Sequence, residues 1–270
     1  MKILDGRELA DYIKERQAKQ VRGLRQAWGV FPKLAIIIAN NDPIIGTYVG
    51  LKQRYGEDIL IEVDVHTVEQ NEVMERIKRL NADNSVHGII VQLPLEDATQ
   101  TDELLMEIAP AKDVDGLGGS STFVSATATA IDWLLAGYNV TLKNRRIAIV
   151  GQGRLVGAPL ARLWQGAGLT VATYDDTISD LSSELRSADV IITATGVPGL
   201  ITSSMIAPGK TVVDAGVAVE NGRQVGDVAA DVRERQDLTI TPERGGVGPL
   251  TVAALFDNVI TAARATIKED

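Results

Sequence analysis

Cysteine is absent from the 270-residue chain, and histidine occurs only twice, at His66 and His87. The first absence excludes disulfides, thiol catalysis and cysteine-ligated zinc or iron–sulfur centres. The second removes the usual basis of a histidine-rich metal site, so no metal is expected. A basic excess is missing too. The 36 acidic and 27 basic side chains give a net charge of −9, which disfavours nucleic acid and anionic membranes as partners. No apolar run reaches membrane-spanning length. The opening MKILDGRELADYIKERQ carries charges where a signal sequence needs an apolar core, so a cytoplasmic location is expected. With 45% hydrophobic and 23% charged residues, the composition is that of a globular protein long enough for one large or two small domains.

What is present is organised around residues 147–163, IAIVGQGRLVGAPLARL. Four apolar residues form a short buried strand, Gly151, Gly153 and Gly157 follow, and a helical pattern opens after them. Strand, glycine turn and helix N-terminus together make a phosphate cradle, because glycine lets backbone N–H groups approach an anion that the helix dipole also favours. The spacing is G-x-G-x-x-x-G, one residue longer than the common dinucleotide fingerprint. A glycine turn alone also fits an ordinary strand–helix connection. Asp175 and Asp176, which close the next strand, sit where a ribose-binding acid would be.

Ahead of this stretch, residues 7–28 read as an amphipathic helix with Leu9, Ile13, Val21, Leu24 and Trp28 on its stripe. Strands are expected at 34–39, 59–65 and 88–93, alternating with helices that include 70–80 and 101–108. Asp42 is placed to cap a helix begun by Pro43, on which Tyr48 and Lys52 share one face. Gln92 ends an apolar strand, where a buried amide needs partners. Asp113 and Asp115 in KDVDG begin like a calcium loop but lack its later ligands. After a linking helix at 126–135, further strands at 147–150, 169–173, 190–195, 211–214 and 238–241 suggest a second, smaller sheet, and residues 251–267 a final helix. The fold class is therefore α/β, in two domains with mostly parallel sheets.

Several motifs recur here in one order: TYVGLK (47–52), NADNSVHGIIVQLPL (81–95), KDVDG (112–116), ADVIITATGVPGLI (188–201) and ITPERGGVGPLT (240–251). With the glycine turn they resemble the bifunctional methylenetetrahydrofolate dehydrogenase/cyclohydrolase family over nearly the whole chain. The resemblance implies a folate-binding catalytic domain at 1–120, on which a C-terminal helix at 251–270 packs back. It implies a Rossmann-type NAD(P)-binding domain at 121–250, and a folate cleft between the two. By position, Tyr48 would stack on the folate, Lys52 would be the key catalytic group, Gln92 would tune it and Asp115 would grip the pterin. Gly246 and Pro249, in a turn expected to wrap the nicotinamide end, join the substrate contacts. The cofactor contacts would be Gly151, Gln152, Gly153, Arg154, Val156, Gly157, Asp175, Asp176, Thr195, Gly196 and Gly216. The implied chemistry is oxidation of methylene- to methenyl-tetrahydrofolate and its hydrolysis to 10-formyl-tetrahydrofolate, in a homodimer serving one-carbon metabolism.

The chain departs from the family pattern in places that bear on function. Gly151-Gln152-Gly153 lacks the Arg-Ser pair that holds the 2′-phosphate of NADP, and the acidic pair at 175–176 replaces a His-Ser-basic run. Both favour NAD, although Arg154 could still serve a phosphate and the aspartates could simply cap the following helix. The loop after Gly116 is shortened to LGGSSTFV, and Glu243-Arg244 replaces Val-Pro. Gly46 and Gly50 lower helix propensity around Tyr48. A monofunctional NAD-dependent dehydrogenase and a non-catalytic dinucleotide- or folate-binding protein are the competing expectations.

Overall fold

A computed structural model describes residues 1–40, 42–220 and 223–267. In chain order its principal elements are β1 (Lys2–Ile3), α1 (Gly6–Trp28), β2 (Lys33–Ile38), α2 (Pro43–Asp58), β3 (Glu62–Thr67), α3 (Val73–Ala82), β4 (Gly88–Val91), α4 (Thr101–Glu107) and α5 (Ala126–Gly137). There follow β5 (Ile147–Val150), α6 (Gly157–Gly166), β6 (Val171–Tyr174), α7 (Leu181–Ser187), β7 (Val190–Thr193), β8 (Thr211–Asp214), β9 (Ala218–Glu220), β10 (Arg223–Val225), α8 (Ala230–Arg233), β11 (Thr239–Ile240) and α9 (Val247–Ala265). The described residues divide into two compact units, one of 11–126 with 252–267, the other of 1–10 with 127–251.

The unit containing residues 11–126 holds a three-stranded parallel sheet ordered β3-β2-β4. After Lys33, central β2 is an unbroken apolar run, and Leu34, Ala35, Ile36 and Ile37 are fully buried, as a strand covered on both faces requires. Edge strand β3 instead alternates, and Glu62 and Asp64 meet Lys33 at 2.7 and 3.7 Å. Its start is a correction. The apolar run from Ile59 points to a strand from that residue, but Leu60 takes φ 66° and the amides of Ile59 and Ile61 bond back to the end of α2. Ile59 and Ile61 are apolar because they plug the core beneath that helix end, not because they pair in the sheet. Trp28 also departs from expectation, being 56% exposed at the last position of α1 while Val21 and Leu24 are buried. From α9, Phe256 stacks on Tyr55 with ring centroids 5.0 Å apart, and Asn258 Nδ2 donates to the carbonyls of Val114 and Val124. Residues 268–270 of the expected final helix lie outside the described residues.

The other unit carries six parallel strands ordered β1-β11-β8-β7-β5-β6. It is the larger sheet, not the smaller one. The first ten residues belong here rather than with residues 11–120, because Lys2 and Ile3 pair with Thr239 and Ile240. Trp164 on α6 is buried and donates its indole N–H to Asp132 Oδ1 on α5 at 2.9 Å, which satisfies the ring's one polar group. The chain leaves β5 for β6 on one side and crosses to β7 on the other. The carboxyl end of β5 is thus a topological switch point, where open α/β sheets bind ligands. The final helix starts at Val247, four residues before the expected 251. Pro249 fits its first turn, where backbone N–H groups have no helical partner to lose.

Candidate active site

In the unit of residues 11–126, α2 begins as its sequence predicts. Asp42 accepts a hydrogen bond from Ile44 N and Pro43 is the first helical residue. The helix runs through Gly46 and Gly50 without a break. A Cβ at Gly46 would meet nothing within 4 Å among the described residues, and none of them demands glycine there. This start sets the helical phase that carries Lys52 inward. Its Nζ donates to Gln92 Oε1 at 2.7 Å. Gln92 follows β4 directly. Its backbone N donates to Ile37 O at 2.9 Å and its Nε2 to Leu93 O at 3.0 Å, so the amide oxygen is turned to the lysine.

The KDVDG segment is tied beside β4 by Ile89 N donating to Lys112 O at 2.8 Å, with Asp113 bridging to Ile89. Gly116 takes φ 69°, and a Cβ there would lie 2.6 Å from Ser125 N, so only glycine allows this close turn. Burial lowers the Lys52 pKa from the usual lysine range, and the Asp115 carboxylate opposes that shift. Burial raises Asp115 in turn; Lys52 opposes and Asp113 adds to the rise. Lysine and aspartate therefore form one electrostatic site. Tyr48, one turn earlier on α2 and so on the same helix face as Lys52, is 36% exposed. Asp113 acts differently. It is buried, its Oδ2 accepts Gly118 N at 2.8 Å and its carbonyl accepts Ser121 Oγ at 2.9 Å, pinning the shortened loop.

In the other unit the glycines of the turn separate by role. Gly151 takes φ 92°, and a Cβ there would lie 2.5 Å from Ala194 O. A Cβ at Gly157 would overlap the carbonyl oxygen of Gly151, so those two are required by the turn itself. Gly153 faces open space. Val156 occupies the cap position of α6 and supplies no side-chain acceptor; Ala158 N donates to Gly153 O at 3.2 Å and Pro159 has no N–H, so the Gly157 amide is the one the helix start offers an anion. Gln152 Nε2 donates to Gly151 O at 3.1 Å. This open glycine, positive-φ turn and uncapped helix start suit a pyrophosphate.

Asp175 follows β6, and its Oδ1 accepts Thr177 N at 3.0 Å and Thr177 Oγ1 at 2.6 Å, bonds that hold its carboxyl below the usual range. Helix α7 is capped by Asp180, which accepts from Ser183 N, so the pair at 175–176 does not cap it. Thr195 and Gly196 follow β7 and Gly216 follows β8, on the far side of the switch point from Asp175. Gly246 precedes α9, and a Cβ there would press on the side chain of Thr241 at 2.9 Å. Pro249 is inside the helix rather than in a free loop. Sequence reasoning missed Asp214, Asp227 and Arg233. The available signal was an aspartate closing the apolar strand TVVD, the same kind of signal that singles out Gln92.

Comparison with known proteins gives this geometry a family. Residues 4–115 match the model "Tetrahydrofolate dehydrogenase/cyclohydrolase, catalytic domain", and residues 125–267 match the corresponding "NAD(P)-binding domain". The chain belongs to the tetrahydrofolate dehydrogenase/cyclohydrolase family. Among relatives of the family, the bifunctional protein FolD of Exiguobacterium sibiricum is 35% identical, over 97% of this chain and 99% of that one. The crystal structure of bifunctional FolD from Campylobacter jejuni superposes with a TM-score of 0.92 at 36% identity, covering 98% of this chain and 99% of that one. The Trypanosoma brucei FolD structure, complexed with NADP cofactor and inhibitor, gives 0.92 at 30% identity, covering 99% and 98%. The family model of the NAD(P)-binding domain includes α9, whereas the compact unit of residues 11–126 claims that helix from Val252 onward.

Proposed function

We infer that the protein oxidises 5,10-methylenetetrahydrofolate to the methenyl form with a nicotinamide dinucleotide and hydrolyses the product to 10-formyltetrahydrofolate, in one-carbon metabolism. The observation that carries the reading is the Lys52–Gln92 hydrogen bond beside Asp115. A binding protein has no need of a desolvated lysine held by a strand-end amide, whereas proton transfer near neutral pH does. Lys52 moves protons as water adds to the methenyl carbon, and the Gln92 oxygen fixes where its Nζ lies. Asp115 accepts hydrogen bonds from the amino and ring N–H groups of the pterin, and Tyr48 stacks against the folate. The dinucleotide, when bound, accepts the hydride from the folate methylene. Gly151, Gly153 and the Gly157 amide at the start of α6 would hold its pyrophosphate, with Gln152, Arg154 and Val156 lining the turn.

The preferred dinucleotide is NAD. Asp175 has its Oδ2 left to accept a ribose hydroxyl, and a carboxylate there repels a 2′-phosphate. The protein works in the cytoplasm as a homodimer; no described helix is long and apolar enough to cross a membrane.

The test is an assay of purified protein with methylenetetrahydrofolate and either NAD or NADP, following reduced nicotinamide and methenyl product together. Reduction with NAD and no accumulation beyond spontaneous hydrolysis is expected. Accumulating methenyl product would leave a monofunctional dehydrogenase, turnover with NADP alone would overturn the NAD assignment, and no turnover would favour a binding protein.

A further inference from the structure

The dinucleotide unit contains a buried acidic cluster that the assigned contacts do not use. Asp227 is fully buried. Its Oδ2 accepts Thr193 Oγ1 and Thr195 N, both at 2.6 Å, and its Oδ1 has no hydrogen-bond partner among the described residues. Asp214, at the end of β8, accepts Gly216 N at 3.1 Å, Asp227 N at 3.0 Å and Val228 N at 3.2 Å. It also pairs with Arg233 at 2.7 Å, and Arg233 donates onward to Thr241 O at 3.0 Å.

The two carboxylates interlock through glycine. A Cβ at Gly216 would overlap the Asp227 carboxylate, and one at Gly226 would overlap that of Asp214. With the bonds of Asp214 N and Arg233 to Thr241, these contacts fasten the carboxyl ends of β7, β8 and β11 to one another. Those ends lie on the side of the switch point opposite Asp175, where the second half of a dinucleotide is received. A buried carboxylate without an ion-pair partner is costly to fold around, and neutral donors compensate it only in part. Among the described residues Asp227 has donors and no ion-pair partner; Arg233 serves Asp214.

We propose that Asp227 is a positioning residue for the nicotinamide half of the dinucleotide, its carboxylate fixing the 193–196 loop so that backbone groups beside Thr195 and Gly196 meet the ligand without further ordering. This rests on the dinucleotide reading above. Preorganisation of this kind lowers the cost of binding rather than adding a contact.

The experiment uses the full chain and measures NAD and NADP dissociation constants by calorimetry, thermal melting, and hydrolysis of methenyltetrahydrofolate without dinucleotide. Asp227→Ala is expected to weaken binding of the preferred dinucleotide by about tenfold or more, the scale of losing hydrogen bonds to a charged group. Hydrolysis without dinucleotide keeps its rate. Asp227→Asn, which retains one acceptor oxygen, recovers most of the affinity. Thr193→Val, a near-isosteric change that removes one donor, weakens binding in the same direction and decides the matter if the alanine variant does not fold. Unchanged dissociation constants in the variants that fold would overturn the proposal. So would affinity, melting and hydrolysis declining together, which is what a purely structural residue gives. A wild-type protein that binds neither dinucleotide would instead overturn the reading on which the proposal rests.

Discussion

The lysine site and the glycine cradle are built in opposite ways. At the lysine site the work is done by side chains: Lys52 reaches from a helix, Gln92 from a strand end and Asp115 from a turn; Gln92 hydrogen-bonds the lysine, and Lys52 and Asp115 each oppose the shift that burial imposes on the other. At the cradle it is done by the lack of side chains, for Gly151 and Gly157 permit a backbone turn and Gly153 leaves open space. Chemistry needs particular functional groups at particular distances, while binding a pyrophosphate needs amides and room. The two regions should therefore fail differently. Substitutions at the first should cost rate, and substitutions at the second should cost affinity or the turn itself.

The largest separation is expected from Lys52→Gln, which keeps a polar side chain and removes the titrating amine. Hydrolysis of methenyltetrahydrofolate should fall by about 10²–10⁴-fold, the usual span for a proton-transfer group, while dinucleotide affinity stays the same in a direct binding measurement. Unchanged hydrolysis would remove Lys52 from the mechanism. Next in size are the cradle variants. Gly157→Ala drives a methyl group into the Gly151 carbonyl, and such overpacking typically costs about 1–3 kcal/mol. Its melting temperature and its dinucleotide affinity should both drop. Gly153→Ala meets nothing among the described residues within 4 Å, so its melting temperature should hold while affinity falls. Equal melting losses in the two variants would show that the glycines serve the fold alone.

The same contrast explains what could be read from the sequence. Buried strands such as β2, β5 and β7 announce themselves by apolar runs, because both faces are covered. The Asp42–Pro43 start of α2 is equally plain, since a cap is a local bond between near neighbours. Lys52, Gln92 and Asp115 stood out only together, within a family pattern; alone, each has a bland explanation. What stayed hidden was long-range. A two-residue strand at Lys2–Ile3 has no periodicity, and its partner lies at Thr239–Ile240. Asp214 and Asp227 likewise meet only once β8 and the segment at 226–228 have folded back on each other. Ile59 misled for a related reason, because burial under a helix end and burial in a sheet select the same side chains.

A smaller effect tests whether the lysine site is one electrostatic unit. The Asp115 charge raises the Lys52 pKa against the lowering by burial. Asp115→Asn removes that opposition, so Lys52 should lose its proton at lower pH than in the wild type. The limb of the hydrolysis pH–rate profile that reports Lys52 should then move to lower pH, apart from any rise in KM for the folate. A limb that stays in place would mean that lysine and aspartate titrate independently.

The smallest change falls where the cradle does use a side chain. Asp175 accepts both Thr177 bonds on Oδ1, and the proposed ribose contact falls to its other oxygen. Asp175→Ser keeps a short polar group that can still bond near Thr177 and removes the charge that repels a 2′-phosphate. The ratio of kcat/KM for NAD over NADP should decline by roughly tenfold, the order of one hydrogen bond to a charged group, with the hydrolysis rate untouched. If the ratio does not move, the carboxylate serves only its own turn, and cofactor choice must be made by other groups in the cradle, with Arg154 the first to replace.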